Sequence, residues 1–206
     1  NAVDNYTGIS LGYAENGNSA YRKVGIVSVG RGDGAARQDL AFLVDSNADG
    51  GSAQLADTKM RISHEGYVTT PYQPAFDAYR SSGSYASGSS VTSMDLNSTR
   101  LNVGGHYNTA SNSLRFTAPV GGVYQFNFRT IINGAYNSGH VKMVKNGVDL
   151  VGTQTHFSPT VASQWSQVNI QIIVALNAND YMQVRFQSNT NIYGNSYESF
   201  NGHLIG

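Results

Sequence analysis

The 206-residue chain contains no cysteine, which excludes a disulfide framework and a thiolate metal site. Proline is rare, at 4 residues, and no apolar run approaches the roughly 20 residues that a membrane-spanning helix requires. Charge is also scarce, since 13% of the residues are charged and the formal net charge is zero. A chain without a basic stripe is a poor match for nucleic acid, so we expect neither nucleic-acid binding nor membrane insertion.

Glycine (23 residues) and tyrosine (13) are abundant, and the hydrophobic pattern has a period of two. Apolar and polar residues alternate through Gly122–Ile131, Val168–Leu176 and Tyr181–Gln187, and no convincing helical stripe occurs. Asn146-Gly147 separates two further runs and predicts a tight hairpin, because both residues tolerate positive φ. Many short strands with frequent turns predict a sandwich or jelly roll.

The N-terminal third differs from the rest of the chain. Three segments are strand-like, Lys23–Gly30, Asp39–Ser46 and Lys59–Thr70, but loose polar sequence separates them. So few large apolar residues bury too little surface to hold a compact monomer. Either this region is mobile or neighbouring chains complete it. We place a domain boundary after residue 72, between a fibrous β-rich region (1–72) and a second domain (73–206).

Several motifs of the second domain occur in an order that resembles a known family. They are PAFDAY (Pro74–Tyr79), LNVGGHYNTASNSLRFTAPVGGVYQFNF (Leu101–Phe128), VKNGVDL (Val144–Leu150) and SFNGHLIG (Ser199–Gly206). This series resembles the globular head of complement C1q, a relative of the tumour necrosis factor jelly roll. Asn179-Asp180 stands where that family usually has Gly-Asp. The resemblance implies an all-β fold with a ten-stranded jelly-roll sandwich.

The N-terminal region resembles a segment of bacteriophage tail and appendage fibres. An apolar strand and polar loop at Asp39–Gly51 lead to the sequence DTKMRISHEGYVTT at Asp57–Thr70. Because both resemblances concern proteins that are usually homotrimeric, they imply a homotrimer. The run Ile172-Ile173-Val174 agrees, since a strand that is apolar on both faces can fill the sandwich and also meet a partner chain. Burial by loops within a monomer is the alternative for this strand.

Asp45, Asn47 and Asp49 fall at alternate positions before Gly50, like the opening of a calcium loop. The twelfth position, where such a loop needs an acidic ligand, is Ala56. Aspartate, asparagine and glycine are also what turns select for local hydrogen bonding. We therefore expect a turn between two strands and keep the three oxygen-bearing residues only as weak metal candidates, with no cofactor.

Catalytic and metal-binding constellations are not evident in the sequence. No histidine is two to five residues from another, so no local metal pair exists, although a threefold axis could gather three copies of one histidine. The histidines are His64, His106, His140, His156 and His203. The carboxylates of the second domain show no obvious pair, and no G-x-S-x-G elbow occurs. They are Asp77, Asp95, Asp149, Asp180 and Glu198. We expect a protein that is not an enzyme.

Loops rich in tyrosine, serine, asparagine and glycine are the remaining lead. Such loops combine rigid amphipathic area with adaptable hydrogen bonding, which recognition surfaces favour. Tyr136, Tyr193 and Tyr197 are therefore the candidate receptor contacts. The alternative is that any exposed loop of a chain with this composition looks the same. Trp165 precedes a core strand and is expected to pack against the core.

Together these features predict the tip of a virion fibre, in a tail or capsid appendage, that attaches to a host cell-surface glycan or protein. Because the chain begins at Asn1 rather than methionine, we expect a piece of a longer protein joined to upstream fibre or virion proteins. Its location would be the virion, outside the cell. The alternatives are a secreted C1q-like lectin or ligand of a cellular organism and a purely structural trimerisation cap.

Overall fold

The computed structural model describes residues 3–12, 21–81, 83, 88–110, 113–133, 139–158, 165–188, 192–193 and 197–206. The chain divides into two compact units, Asn1–Tyr72 and Gln73–Gly206. Strands dominate both units, and the described residues contain no α-helix, only short 3₁₀ turns at Leu55–Asp57 and Val103–Gly105. The expectation of an all-β protein is confirmed.

The first unit is one antiparallel sheet whose five strands follow each other in chain order. They are β1 (Tyr6–Leu11), β2 (Val24–Gly30), β3 (Gln38–Val44), β4 (Thr58–Ile62) and β5 (Val68–Thr69). One face of the sheet holds a small core, which the segment before β4 helps to cover. Its buried residues are Val27, Val29, Ala41 and Leu43, with Ala53 and Leu55 packed against them.

The other face of this sheet is apolar and open to solvent. Directly opposed residues of an antiparallel sheet share a face, so the strand register places ten apolar side chains together. Ile9 is 65% exposed and others are half-buried. We call this set the apolar face: Ile9, Leu11, Val24, Ile26, Leu40, Phe42, Val44, Met60, Ile62 and Val68. A patch of this kind on a soluble protein marks an interaction surface.

The second unit has thirteen described strands rather than ten, and five of them are short pieces of two or three residues. The strands are β6 (Ala75–Tyr79), β7 (Gly88–Ser93), β8 (Ser98–Asn102), β9 (Tyr107–Asn108), β10 (Arg115–Thr117), β11 (Gly122–Asn133), β12 (Gly139–Lys145), β13 (Val148–Asp149), β14 (Thr155–Phe157), β15 (Trp165–Leu176), β16 (Tyr181–Ser188), β17 (Ile192–Tyr193) and β18 (Ser199–Leu204).

These strands form two antiparallel sheets packed face to face as a sandwich. The β11 sheet has the order β15-β11-β18-β6-β8, with β17 also paired to β11. The β12 sheet has the order β13-β12-β16-β10-β9, with β14 paired to β12 and β7 to β16. Strands that lie side by side are far apart in the chain, as β18 is from β6, which is the connectivity of a jelly roll.

Aromatic rings fill the space between the two sheets. Phe76 stacks on Phe116 from the opposite sheet, with ring centroids 4.8 Å apart. The ring of Phe200 meets Phe76 edge-on at 5.0 Å, and Phe126 also packs against Phe200. Offset and edge-on pairs of this kind add stability beyond the area they bury. The alternating residues of Gly122–Ile131 therefore divide as the sequence predicts, with the aromatic side chains inside.

The sandwich has two distinct ends. The proximal end is the one at which the chain enters the unit. There the side chain of Gln73 donates a hydrogen bond to the carbonyl of Leu204 at 2.6 Å. At the distal end Asn133 lies opposite Trp165 and Gly139 lies opposite Phe157. The strand ends that border residues 134–138, 158–164 and 189–196 therefore gather at the distal end.

The predicted Asn146-Gly147 hairpin is confirmed. Lys145 pairs with Val148, and the two turn residues have φ values of 51° and 82°. Asn179, where the resembling family has glycine, likewise has a positive φ of 71°. Asparagine is one of the few other residues that tolerates this region, so the departure from glycine keeps the local backbone.

Replacing Gly202 with alanine should destabilise the sandwich. A Cβ at this position would lie 2.4 Å from a ring carbon of Phe126, inside the core. We expect the free energy of unfolding to fall by about 1–3 kcal/mol. Gly121→Ala is the control, because a Cβ there meets only ordinary contacts at 3.6 Å and beyond. Urea unfolding monitored by near-ultraviolet circular dichroism measures both, and equal midpoints for the two variants would contradict this packing.

Candidate functional site

The loop of Asp45, Asn47 and Asp49 is organised around a lysine. The ammonium of Lys23 lies 2.6 Å from one carboxylate oxygen of Asp45 and 2.7 Å from one of Asp49. The other Asp45 oxygen accepts the backbone N–H of Asn47, and Asp49 accepts that of Gly51. The two carboxylates thus already hold a cationic side chain, and their remaining contacts are those of turns that aspartate forms with its own backbone.

The charges of this loop shift each other's titration. The hydrogen bond from Lys23 is the main cause that lowers the pKa of Asp45, and it also lowers the pKa of Asp49. The two carboxylates in turn raise the pKa of Lys23. Among the described residues, no group of three or more His, Cys, Asp or Glu side chains is placed to hold a metal ion.

The three tyrosine candidates differ in what the structure says of them. Tyr136 lies outside the described residues. Tyr193 pairs with Ile131 through its backbone, and its side chain lies outside the description. Tyr197 stands just before β18 at the distal end and is 50% exposed.

Tyr197 lines a pocket of about 380 Å³ at the distal end. The pocket opens on the outer face of the β11 sheet, beside the ends of β11 and β15. Its lining combines aromatic, amide, hydroxyl and guanidinium groups. The lining residues are Arg129, Thr130, Ile131, Trp165, Ser166, Gln167 and Tyr197.

Trp165 lies in this pocket rather than in the core, and the expectation that it packs inside is wrong. Its side chain is 52% exposed. In β15 the buried positions are Val168, Ile170 and Leu176, whereas Trp165 is in phase with the outward residues Gln167 and Asn169. The period-two alternation of β15 therefore indicates that Trp165 points outward.

Arg129, which is not among the candidate residues predicted from the sequence, gives the pocket a positive charge. It alternates with the buried Phe128 and Thr130 and therefore points outward from β11. Within the described part of the chain, Arg129 forms no ion pair, so its guanidinium donors remain available. A planar guanidinium is suited to paired hydrogen bonds with carboxylates or with vicinal hydroxyl groups.

A second pocket of about 480 Å³ adjoins the first through Arg129 and is lined by amides. Asn127 and Asn201 lie in it, with the side-chain nitrogen of Asn127 donating to Asn201 Oδ1 at 3.2 Å. Asn201 donates to the Ser199 hydroxyl, which donates to Asp77 at 2.6 Å. These bonds hold the polar middle of the face in fixed orientations.

The proximal half of the same face carries exposed aliphatic side chains. Ile173 on β15 is 62% exposed. We call this residue and its exposed aliphatic neighbours the aliphatic patch: Val123, Ile173 and Ile205. The outer face of the β12 sheet differs, since Arg115, Gln183 and Arg185 occupy it.

Comparisons with known proteins concern the second unit. The C1q domain family matches residues 75–205. A solved structure, the globular domain of the zebrafish complement 1qA protein, is 20% identical with a TM-score of 0.49. That similarity covers 65% of this chain and 98% of the zebrafish one. No curated protein matches the chain. Within the described ranges, no helix is long and apolar enough to cross a membrane.

Replacing Lys23 with methionine should raise the pKa of Asp45 and Asp49 toward the ordinary value of 3.8. In the native protein both values are lowered, so the stability that the carboxylates contribute is present above pH 3.8 and is lost as the pH falls through their folded-state pKa values. Lys23→Met should remove much of this acid-sensitive contribution. Carboxyl-carbon NMR titration measures both groups, with the adjacent Arg22→Met as control. Unchanged titration in Lys23→Met would refute the bridging role.

Proposed function

The chain belongs to the C1q domain family over residues 75–205, and we propose that it is the tip of a trimeric virion fibre that binds a host cell-surface glycan. C1q domains typically form trimers and bind ligands, and the proteins that contain them are typically extracellular. The proposed activity is binding without chemical transformation of the glycan. The pocket of Arg129, Trp165 and Tyr197 at the distal end is the observation that carries this proposal.

The aliphatic patch supports trimer formation by the second unit. Exposed aliphatic side chains on one sheet face and polar ones on the other favour an assembly in which only the first is covered. Three copies packed around an axis through the proximal half of the β11 sheet would bury Val123 and Ile173. The polar middle of the face and the distal pocket would then lie farther along the same sheet, toward the distal end and away from the trimer contact.

The apolar face of the first unit supports a fibre with the same symmetry. None of its ten residues is charged, so a complementary partner must be apolar as well. The same face on two further copies of this chain meets that requirement, and a shared threefold axis would bring the three faces together. Sheets that associate in this way are suited to a shaft that leads into a tip domain. The resemblance to phage fibres implies such a shaft for residues 1–72.

The distal pocket suits a sugar better than an apolar ligand. The rings of Trp165 and Tyr197, which are 52% and 50% exposed, are of the kind that stack on the C–H faces of a pyranose. Gln167 and Arg129 supply donors for hydroxyl or carboxylate oxygens at the edge of the same pocket. Low overall charge makes hydrogen bonding and stacking, rather than electrostatic steering, the source of affinity.

Three copies of a weak site raise the strength of attachment. Small open pockets of this kind bind single sugars weakly, whereas a repetitive surface glycan can engage all three copies at once. The second and third contacts then form at a high effective concentration. The position of the pocket at the end opposite Gln73 keeps it away from the point where the chain enters the domain.

Ile173→Glu should weaken the trimer. A carboxylate in a buried apolar contact loses its hydration without gaining a partner, so we expect the concentration at which the trimer dissociates to rise by at least about 100-fold. Val151→Glu is the control, because Val151 is fully exposed at a turn outside the patch. Sedimentation velocity over a dilution series measures the effect. A monomeric native chain, or an unchanged dissociation concentration in Ile173→Glu, would contradict the proposed assembly.

Trp165→Ala and Tyr197→Ala should each reduce glycan and whole-cell binding by about tenfold or more per site, since each removes one stacking surface. Tyr67→Ala is the matched control, because Tyr67 is an exposed tyrosine of the first unit. A glycan array and a cell-binding assay with the purified chain provide the measurement, and sedimentation verifies that the variants keep the native assembly. Undiminished binding by both variants would contradict the pocket. An absence of binding to any surface would favour a structural cap, and release of reducing sugar would indicate an enzyme.

A further inference from the structure

Two histidines that are distant in the sequence are neighbours in the β12 sheet. His140 on β12 and His156 on β14 lie directly opposite each other in the strand register, with ring centroids 5.3 Å apart. Val141 and Phe157, the residues that follow them, are in the core, so both imidazoles belong to the outer side of the sheet. A search for histidines two to five residues apart misses this pair, because the register and not the sequence spacing brings them together.

The separation of the rings matches that of two imidazoles bound to one metal ion. With a metal–nitrogen distance of ~2.0–2.1 Å, each ring centroid lies ~3.2 Å from the ion. Two ligands at a tetrahedral angle then have centroids ~5.2 Å apart, compared with 5.3 Å between His140 and His156. The backbone pairing therefore already sets the spacing that a metal ion requires.

The free nitrogen positions also suit a metal ion. The Nε2 atom of His140 is buried and has no hydrogen-bond partner among the described residues. The Nε2 atom of His156 lies 2.7 Å from the side-chain nitrogen of Gln154. Because an amide nitrogen can only donate, this Nε2 is the acceptor and carries a lone pair. Rotation of the Gln154 amide would turn its oxygen toward the His156 ring, where it could serve as a third ligand.

The side chains around the pair disfavour a hard cation. Lys142, two residues after His140 on β12, is ion-paired with Asp149. Arg185 on β16 lies opposite Lys142. Imidazole ligands next to cationic side chains disfavour hard cations such as Ca²⁺ and select ions with high affinity for nitrogen.

We propose that His140 and His156 form a binding site for a divalent transition-metal ion of the zinc or nickel type, completed by the Gln154 amide and water. No third His, Cys, Asp or Glu side chain joins them within the described residues, so the site holds its ion with modest affinity. The ion would link β12 to β14 close to the distal end. This site is on the β12 sheet, so it is independent of the proposed glycan pocket on the β11 sheet.

Isothermal titration of the full chain, purified without a histidine tag, with ZnCl₂ and separately with NiCl₂ tests the site. We expect one ion per chain, and His140→Ala and His156→Ala should each weaken binding by at least tenfold. His106→Ala is the matched control and should bind as the native chain does, since His106 precedes β9, which pairs with neither β12 nor β14. Failure of the native chain to bind either ion, or undiminished binding by the double variant His140→Ala/His156→Ala, would overturn the proposal.

A second measurement locates the ion without relying on the variants. Substoichiometric Ni²⁺ is paramagnetic and should broaden the imidazole NMR signals of His140 and His156 before those of His64, His106 and His203. Equal broadening of all five histidines would overturn the proposal. Thermal unfolding of each variant in the absence of metal verifies that a loss of binding is not a loss of fold.

Discussion

The stacking of aromatic rings between the two sheets is the constraint on which the second unit depends. Phe76 meets Phe116 across the sandwich and Phe200 beside it, and these contacts fix which side of every neighbouring strand faces inward. Side chains alternate strictly along a strand, so the outer faces are determined at the same time. A register slip of one residue would exchange Phe128 with Arg129 and empty the distal pocket of its charge. The strand register therefore determines both which residues form the core and which residues form the candidate sites.

Local chemistry explains what could be predicted from the sequence. The Asn146-Gly147 hairpin depends on the φ preferences of two adjacent residues, and the long strands depend on a period that each segment displays by itself. The expectation for Trp165 is wrong because its residue type favours burial, whereas its phase, shared with Gln167, places it on the outer face. The alternation in β11 identifies Arg129 as an outward residue. Its role as a candidate binding residue depends on Trp165 and Tyr197, which reach the same pocket from other segments of the chain.

Register between distant segments explains what could not be predicted. His140 and His156 are brought together by pairing that continues through a hairpin and a further turn, and no spacing rule describes that path. The same holds for Lys23, which lies between Asp45 and Asp49 because β2 and β3 are paired. In both cases the sequence shows the residue types, but it does not show which residue each side chain contacts. A loop that resembles a calcium site from its own residues becomes a salt-bridged turn once the neighbouring strand is included.

In the proposed trimer, the same symmetry would cover apolar surface of both units, which depend on that cover to different degrees. The second unit has a large core of its own, so association through the aliphatic patch would add to a domain that is already well packed. Among its described residues, the first unit has four buried core residues and a larger exposed apolar face, so in the proposed trimer most of its available hydrophobic stabilisation would lie between chains rather than within one. A trimer nucleated by the second unit would raise the local concentration of the first-unit sheets and offset the entropy of bringing three together. In the proposed fibre, assembly would then proceed from the tip toward the shaft, because the unit with the larger core would align the unit with the smaller one.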